Sequence, residues 1–172
     1  MESVVIGDPR DPDVDMGPQI NRHELEGTER AVENAVAEGA SVLTGAQRPD
    51  SLEKGFYYEP TVLGGVTQDM EIIQSEVFGP VSPIIPIETF DEAIEYANDS
   101  RYGLSSYVFT QNYEIAMEAA QRIEFGEVFI NRTLGEALQG HHIGWKESGM
   151  GGEDGKYGVL KYTQLKSVYH NW

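Results

Sequence analysis

The stretch "VSPIIPIETFDEAIEYANDSRYGLSSYVFTQNYEIAMEAAQRIEFGEVFIN" (81–131) switches repeatedly between two hydrophobic periods, and that switching sets the fold class. "VSPIIPI" (81–87) is an apolar run bounded by proline and reads as a strand. Thr89 follows as a helix N-cap with Glu92 three residues on, the spacing at which each side chain satisfies a free backbone N–H of the first turn. Ala93, Ile94 and Ala97 recur on one face, and "NDSRYG" (98–103) ends the helix. "SSYVFT" (105–110) is a second strand. Asn112 caps a third helix with Ile115, Ala116, Ala119, Ala120 and Ile123 facing inward, and Gly126 stops it before the strand "EVFIN" (127–131). A helix between successive strands gives crossovers long enough for parallel pairing. The expectation is an α/β fold with parallel strands at 81–87, 105–110 and 127–131 and flanking helices.

Upstream, the first 18 residues are rich in Pro, Gly and Asp and read as an extended, turn-rich lead-in. Asn21 caps a helix with Glu24 at the capping-box position. Leu25, Thr28, Val32, Ala35 and Val36 share a face, and Gly39 suits a left-handed C-cap. "SVLTG" (41–45) is expected as a short buried strand, and "GFYYEPTVL" (55–63) as an extended segment that Pro60 confines to an edge or a bend. Downstream, residues 132–158 carry eight of the 19 glycines and almost no periodicity, so a long functional loop is expected. "YTQLKSVYHNW" (162–172) has strand composition and needs a partner to be ordered.

At 172 residues, a single domain is the natural reading. Asp and Glu number 29 against 12 Lys and Arg, a net charge of −17 that opposes nucleic acid and anionic membrane surfaces. Either a salt-rich cytosol or an ordinary acidic enzyme accounts for that charge. No apolar run reaches the ~18 residues of a membrane span, and no signal peptide is evident after Met1, so a cytoplasmic protein is expected. There is no cysteine, which removes disulfides, Cys-ligated zinc and a thiolate nucleophile.

"GMGGEDG" (149–155) lacks the strand-then-long-helix setting of a phosphate-binding turn. His141 and His142 are adjacent and poorly placed to share one metal, so no metal is expected. By composition His142 reads as a loop histidine packed on Trp145. In "QSEVFGPV" (74–81), Glu76 and Phe78 precede the rigid Gly79–Pro80 turn. An acid beside an aromatic can bind sugar hydroxyls and cover a planar ring, or can be a capping acid and a core ring.

Taken in order, "DMGPQIN" (15–21), "GFYYEPTVL" (55–63), "EVFGPV" (76–81), "DEAIEYANDSRYGLSSYVFT" (91–110), "GEVFINR" (126–132) and "KESGMGGEDGKYG" (146–158) resemble the aldehyde dehydrogenase superfamily over nearly the whole chain. The likeness is to the C-terminal third. "EALQGHHIGWKESG" (136–149) resembles the lactaldehyde and glycolaldehyde branch, where many relatives have a "PFGG" type of sequence. The resemblance implies that residues 1–161 are part of a catalytic domain and that 162–172 form an oligomerisation strand adding to a neighbouring subunit. It implies a cysteine thiolate attacking the aldehyde, hydride transfer to NAD or NADP, and hydrolysis of the thioester by water that a glutamate activates. In the family the cysteine, that glutamate, the oxyanion-hole asparagine and the nucleotide-binding domain lie upstream of these motifs.

The resemblance therefore carries over no catalytic residue. Glu76 matches the glutamate that bonds the nicotinamide ribose, and Phe78 the aromatic beside the nicotinamide. Glu136 and His142 match positions lining the substrate pocket of the hydroxyaldehyde branch. A carboxylate accepts a hydroxyl proton and an imidazole donates or accepts one, which suits a small hydroxyaldehyde. Three functions compete: part of an aldehyde dehydrogenase inactive on its own and binding no cofactor alone, one half of a split enzyme with a separate N-terminal chain, or a non-catalytic interaction module. The charge gives an expected outcome of its own. If the acidity is a salt adaptation, thermal melts should rise with potassium chloride until the screening length falls to roughly 3 Å near 1 M, whereas an ordinary acidic enzyme should show no such gain.

Overall fold

The computed structural model describes residues 1–133, 135 and 137–172. The chain divides into two compact units, 1–86 and 87–172. It is mixed α/β throughout.

In the first unit, α1 (Arg22–Glu38) is capped as its sequence indicates. The Asn21 side chain accepts from the Glu24 N–H at 2.9 Å, and Gly39 closes the helix in the left-handed region at φ 116°. Leu25, Thr28, Val32 and Ala35 are buried, whereas Val36 is 44 % exposed and lies off the inward face. The sheet runs β1 (Ser41–Thr44), β2 (Thr61–Gly64), β3 (Val81–Pro83), with β1 antiparallel and β3 parallel to β2. Two expectations change here. β1 is exposed rather than buried, with Leu43 61 % open, because it is an edge with one neighbour. "TVL" sits in the central strand rather than at an edge, because Pro60 lies just before β2 and costs the ladder no donor.

Leu63 is fully buried in β2 and packs with Leu25, Val32, Tyr58, Val66 and Ile72 of the core. A four-residue helix α2 (Glu71–Gln74) leads to β3, which ends at Pro83 and not at 87. The Ile84 N–H donates to the Leu63 carbonyl, and the Val81 N–H is taken by the Gly79 carbonyl. Burial is the largest influence on the Tyr58 hydroxyl and, with Glu29, Glu33 and Glu59 adding to it, pushes its pKa up to about 12.

In the second unit, α3 (Phe90–Asn98) and α4 (Tyr113–Arg122) have the expected caps. The Glu92 N–H donates to Thr89 Oγ1, the Glu88 N–H donates to the Glu92 carboxylate, and Asn112 Oδ1 accepts from the Glu114 and Ile115 N–H groups. Ile94, Ala116, Ala119 and Ile123 are buried, but Ala120 is exposed. Asn98 ties the helix ends together: its amide donates to the Arg122 carbonyl and its Oδ1 accepts from the Glu124 N–H, both at 2.8 Å.

β5 (Ser105–Val108) and β6 (Glu127–Ile130) are joined through α4 and pair in parallel, each slightly shorter than its apolar run. The glycine-rich stretch is not a continuous loop. It forms β7 (His142–Lys146), β8 (Gly151–Glu153) and the short helix α5 (Gly155–Leu160), and β7 lies between β4 (Tyr102–Gly103) and β8. Residues 163–172 form no helix or strand and are exposed. Among the described residues no helix is long and apolar enough to cross a membrane.

The contrast between neighbouring strands is measurable. Leu63→Ala should lower the free energy of urea unfolding by about 3 kcal/mol, while Leu43→Ala should change it by less than about 0.5 kcal/mol, followed by far-ultraviolet circular dichroism.

Candidate functional site

Glu76 and Phe78 follow α2 on the turn that leads to β3, and both line a groove of about 300 Å³ in the first unit. One wall is α1, presenting Glu24, Gly27, Thr28, Arg30 and Asn34, and the opposite wall is Glu71, Ser75 and the 76–78 turn. The Phe78 ring is 72 % exposed. That excludes the core-ring alternative. Glu76 is exposed and makes no hydrogen bond or ion pair among the described residues, so it is not a capping acid.

A glutamine outside the expected site residues holds this turn. Gln19 Nε2 donates to Thr28 Oγ1 at 2.8 Å and to the Phe78 carbonyl at 3.1 Å, and Thr28 Oγ1 in turn donates to the Glu24 carbonyl. Gly79 is obligatory at this point, because a Cβ there would overlap Thr28 Oγ1 and crowd Gln19. Gln19 Oε1 is buried without a partner. The only sequence signal for Gln19 was its place in "DMGPQIN"; its partner lies 59 residues away.

These groups fit a nicotinamide riboside. An exposed aromatic face suits a planar ring, and an open carboxylate can accept from ribose hydroxyls. Glu76 and Phe78 are the residues of this chain that would hold it.

In the second unit, His142 opens β7, with its side chain 33 % exposed. Its Nδ1 lies 2.9 Å from Glu127 Oε2 on β6. Trp145 is three residues along the same strand, hence on the opposite face, so the packing alternative for His142 does not hold. His141 instead bonds the Glu153 carbonyl through Nδ1 at 2.8 Å and tilts against the Tyr157 ring. Ser148 accepts from the Gly103 N–H at 2.9 Å and so fastens β4. Glu136 lies outside the described residues. Among the described residues no group of three His, Cys, Asp or Glu could hold a metal ion.

The chain is thus mixed α/β, with an acid and an exposed aromatic on one groove and a histidine facing a carboxylate in the second unit. The sequence profile described as "Aldehyde dehydrogenase family" matches residues 1–168, and the chain belongs to that family. It is 47 % identical to lactaldehyde dehydrogenase of Escherichia coli, over 98 % of this chain and 35 % of that protein. It is 45 % identical to 3,6-anhydro-alpha-L-galactose dehydrogenase of a Vibrio species, over 100 % of this chain and 36 % of that one. A solved structure of 3,6-anhydro-L-galactose dehydrogenase in complex with NADP superposes with a TM-score of 0.95 at 50 % identity, covering 99 % of this chain and 36 % of the other. The chain thus spans about a third of the length of the curated relatives it matches. Homologues in this family use NAD or NADP.

Removing the Gln19 amide should loosen the 76–79 turn first. Gln19→Ala should cost about 1 kcal/mol of stability and speed amide exchange at Val77, Phe78 and Gly79 before exchange in α1 changes. Unchanged exchange at those three amides would contradict the holding role.

Proposed function

We propose that this chain is the C-terminal part of an NAD(P)-dependent aldehyde dehydrogenase that oxidises small hydroxyaldehydes, of the lactaldehyde or glycolaldehyde kind, to acids. The observation that carries the reading is the solvent-facing Phe78–Glu76 pair on its groove, in a chain of this family. A bound nucleotide would supply a hydride acceptor. Phe78 would lie against the nicotinamide and keep water from it. Glu76 would accept from the ribose hydroxyls and so orient the ring. Gln19 holds the carbonyl of Phe78 and so sets the height of the turn.

The hydroxyaldehyde assignment is supported by the 47 % identity to a lactaldehyde dehydrogenase. His142 and Glu136 are the proposed pocket groups, and a site built to bond a hydroxyl discriminates strongly against substrates lacking it. The nucleophile must come from sequence outside these 172 residues, since they contain no cysteine. Residues 162–172 are proposed as the oligomerisation strand. Leu165, Val168, Tyr169 and Trp172 are exposed there, which is wasteful unless a neighbouring chain covers them.

The test is an assay of NAD and NADP reduction on the purified chain with lactaldehyde, glycolaldehyde and propionaldehyde, repeated after adding the cysteine-bearing remainder. Silence alone and activity on mixing, with propionaldehyde the poorest substrate, is the expected result. Activity of the chain alone would overturn the proposal, and a mixture that stays silent while the two parts associate would favour a non-catalytic module.

A further inference from the structure

Six of the seven arginines of this chain have an evident partner. Arg10, Arg48, Arg101 and Arg122 pair with carboxylates, and Arg22 and Arg132 lie over aromatic rings. Arg30 has no ion pair, hydrogen bond or ring contact among the described residues. Acids are not lacking around it. Glu26 and Glu33 stand four residues before it and three after it on α1, the spacings at which helical charges meet. The side chain is directed elsewhere. It folds back over Gly27, where Arg30 Nη2 is the only atom within 4 Å of the place a Cβ would take, at 3.8 Å. Helical side chains lean toward the N-terminus in this way and cover the preceding turn.

Arg30 and Gly27 both line the groove of about 300 Å³ that holds Glu76 and Phe78. The other polar side chains of that groove are acidic or neutral, so Arg30 is its one cation among the described residues. Glu71, on the opposite wall, has a partner of its own, because Asn34 Nδ2 donates to its Oε2 at 3.4 Å. The groove therefore offers an open ring, an open carboxylate and a guanidinium without an anion.

A riboside seated on Phe78 and Glu76 carries, in a dinucleotide, a phosphate on its 5′ oxygen. A phosphate calls for positive charge and for donors, and two parallel N–H groups of a guanidinium match two of its oxygens. We propose that Arg30 binds the nicotinamide-side phosphate of the dinucleotide, so that the groove recognises the mononucleotide half of the cofactor and not the riboside alone. This deepens the NAD(P) reading and rests on it. NAD and NADP share this phosphate, so Arg30 does not choose between them.

The test uses the complete enzyme, with the cysteine-bearing remainder present, and reads binding in place of turnover. NADH fluorescence gives the affinity for the dinucleotide. Displacement of NADH by nicotinamide mononucleotide and by nicotinamide riboside gives the affinities of two probes that differ by the phosphate. The mononucleotide is expected to bind more tightly than the riboside. Arg30 is exposed, and glutamine is nearly as good a helix former, so Arg30→Gln leaves α1 intact. It should weaken NADH and the mononucleotide about tenfold, the range of one charge-assisted hydrogen bond, and leave the riboside unchanged. A mononucleotide that binds the wild type no better than the riboside, an equal loss for both probes, or no loss for the mononucleotide overturns the proposal. Phe78→Ala separates that failure from failure of the reading beneath it. If Phe78→Ala weakens NADH and Arg30→Gln does not, the role of Arg30 alone has failed. If Phe78→Ala leaves NADH and both probes unchanged, the groove is not the nicotinamide site and both have failed.

Discussion

The structure of the first unit depends on one close approach, that of Gly79 to the middle of α1. Thr28 is 2 % exposed, and its hydroxyl occupies the space a Cβ at residue 79 would need. That contact lets one glutamine amide hold Thr28 and the Phe78 carbonyl together. The turn is consequently drawn onto the helix by polar groups, and its aromatic side chain is left facing out. An apolar clasp at the same place would have buried Phe78 instead, because the hydrophobic effect does not distinguish a ligand-facing ring from a core ring. The second unit uses the same device at Gly126, where the absence of a side chain allows β6 and β7 to bring an acid and a histidine into contact.

The three long helices α1, α3 and α4 were legible in the sequence because their signals are local, whereas the short α5 lay in the stretch expected as a loop. Asn21, Thr89 and Asn112 each bond an N–H within three residues, so cap and spacing can be read together. The central apolar runs were legible as strands for the same reason, although their ends were overrun at Pro83, Val108 and Ile130. Burial was harder to read. "SVLT" has core composition, but whether a strand has one neighbour or two is a property of the sheet. Likewise Val36 and Ala120 fit the helical period and still lie on the open side of their helices.

The least legible region was 132–158. β7 and β8 are built where backbone meets backbone: a Cβ at Gly152 would strike the His142 carbonyl, and one at Gly144 would crowd Ser148. Strands selected for close approach lose the alternating apolar pattern that identifies strands, so their glycines resemble a loop. The site residues followed suit. Glu76 and Phe78 stood in a recognisable run of residues, whereas Glu127 and Gln19 act on partners 15 and 59 residues away and have no local signature.

The two margins of the first sheet are chemically unequal, and that has a consequence for assembly. Ile84 donates inward to Leu63, so the outward-facing donors of β3 would come from residues 81 and 83. The first is already spent on the Gly79 carbonyl, and the second is a proline with no N–H. That margin is a terminator, while β1, with its exposed Val42 and Leu43, is a reactive end. In polymer terms the first sheet can be lengthened by a further strand at its β1 margin only.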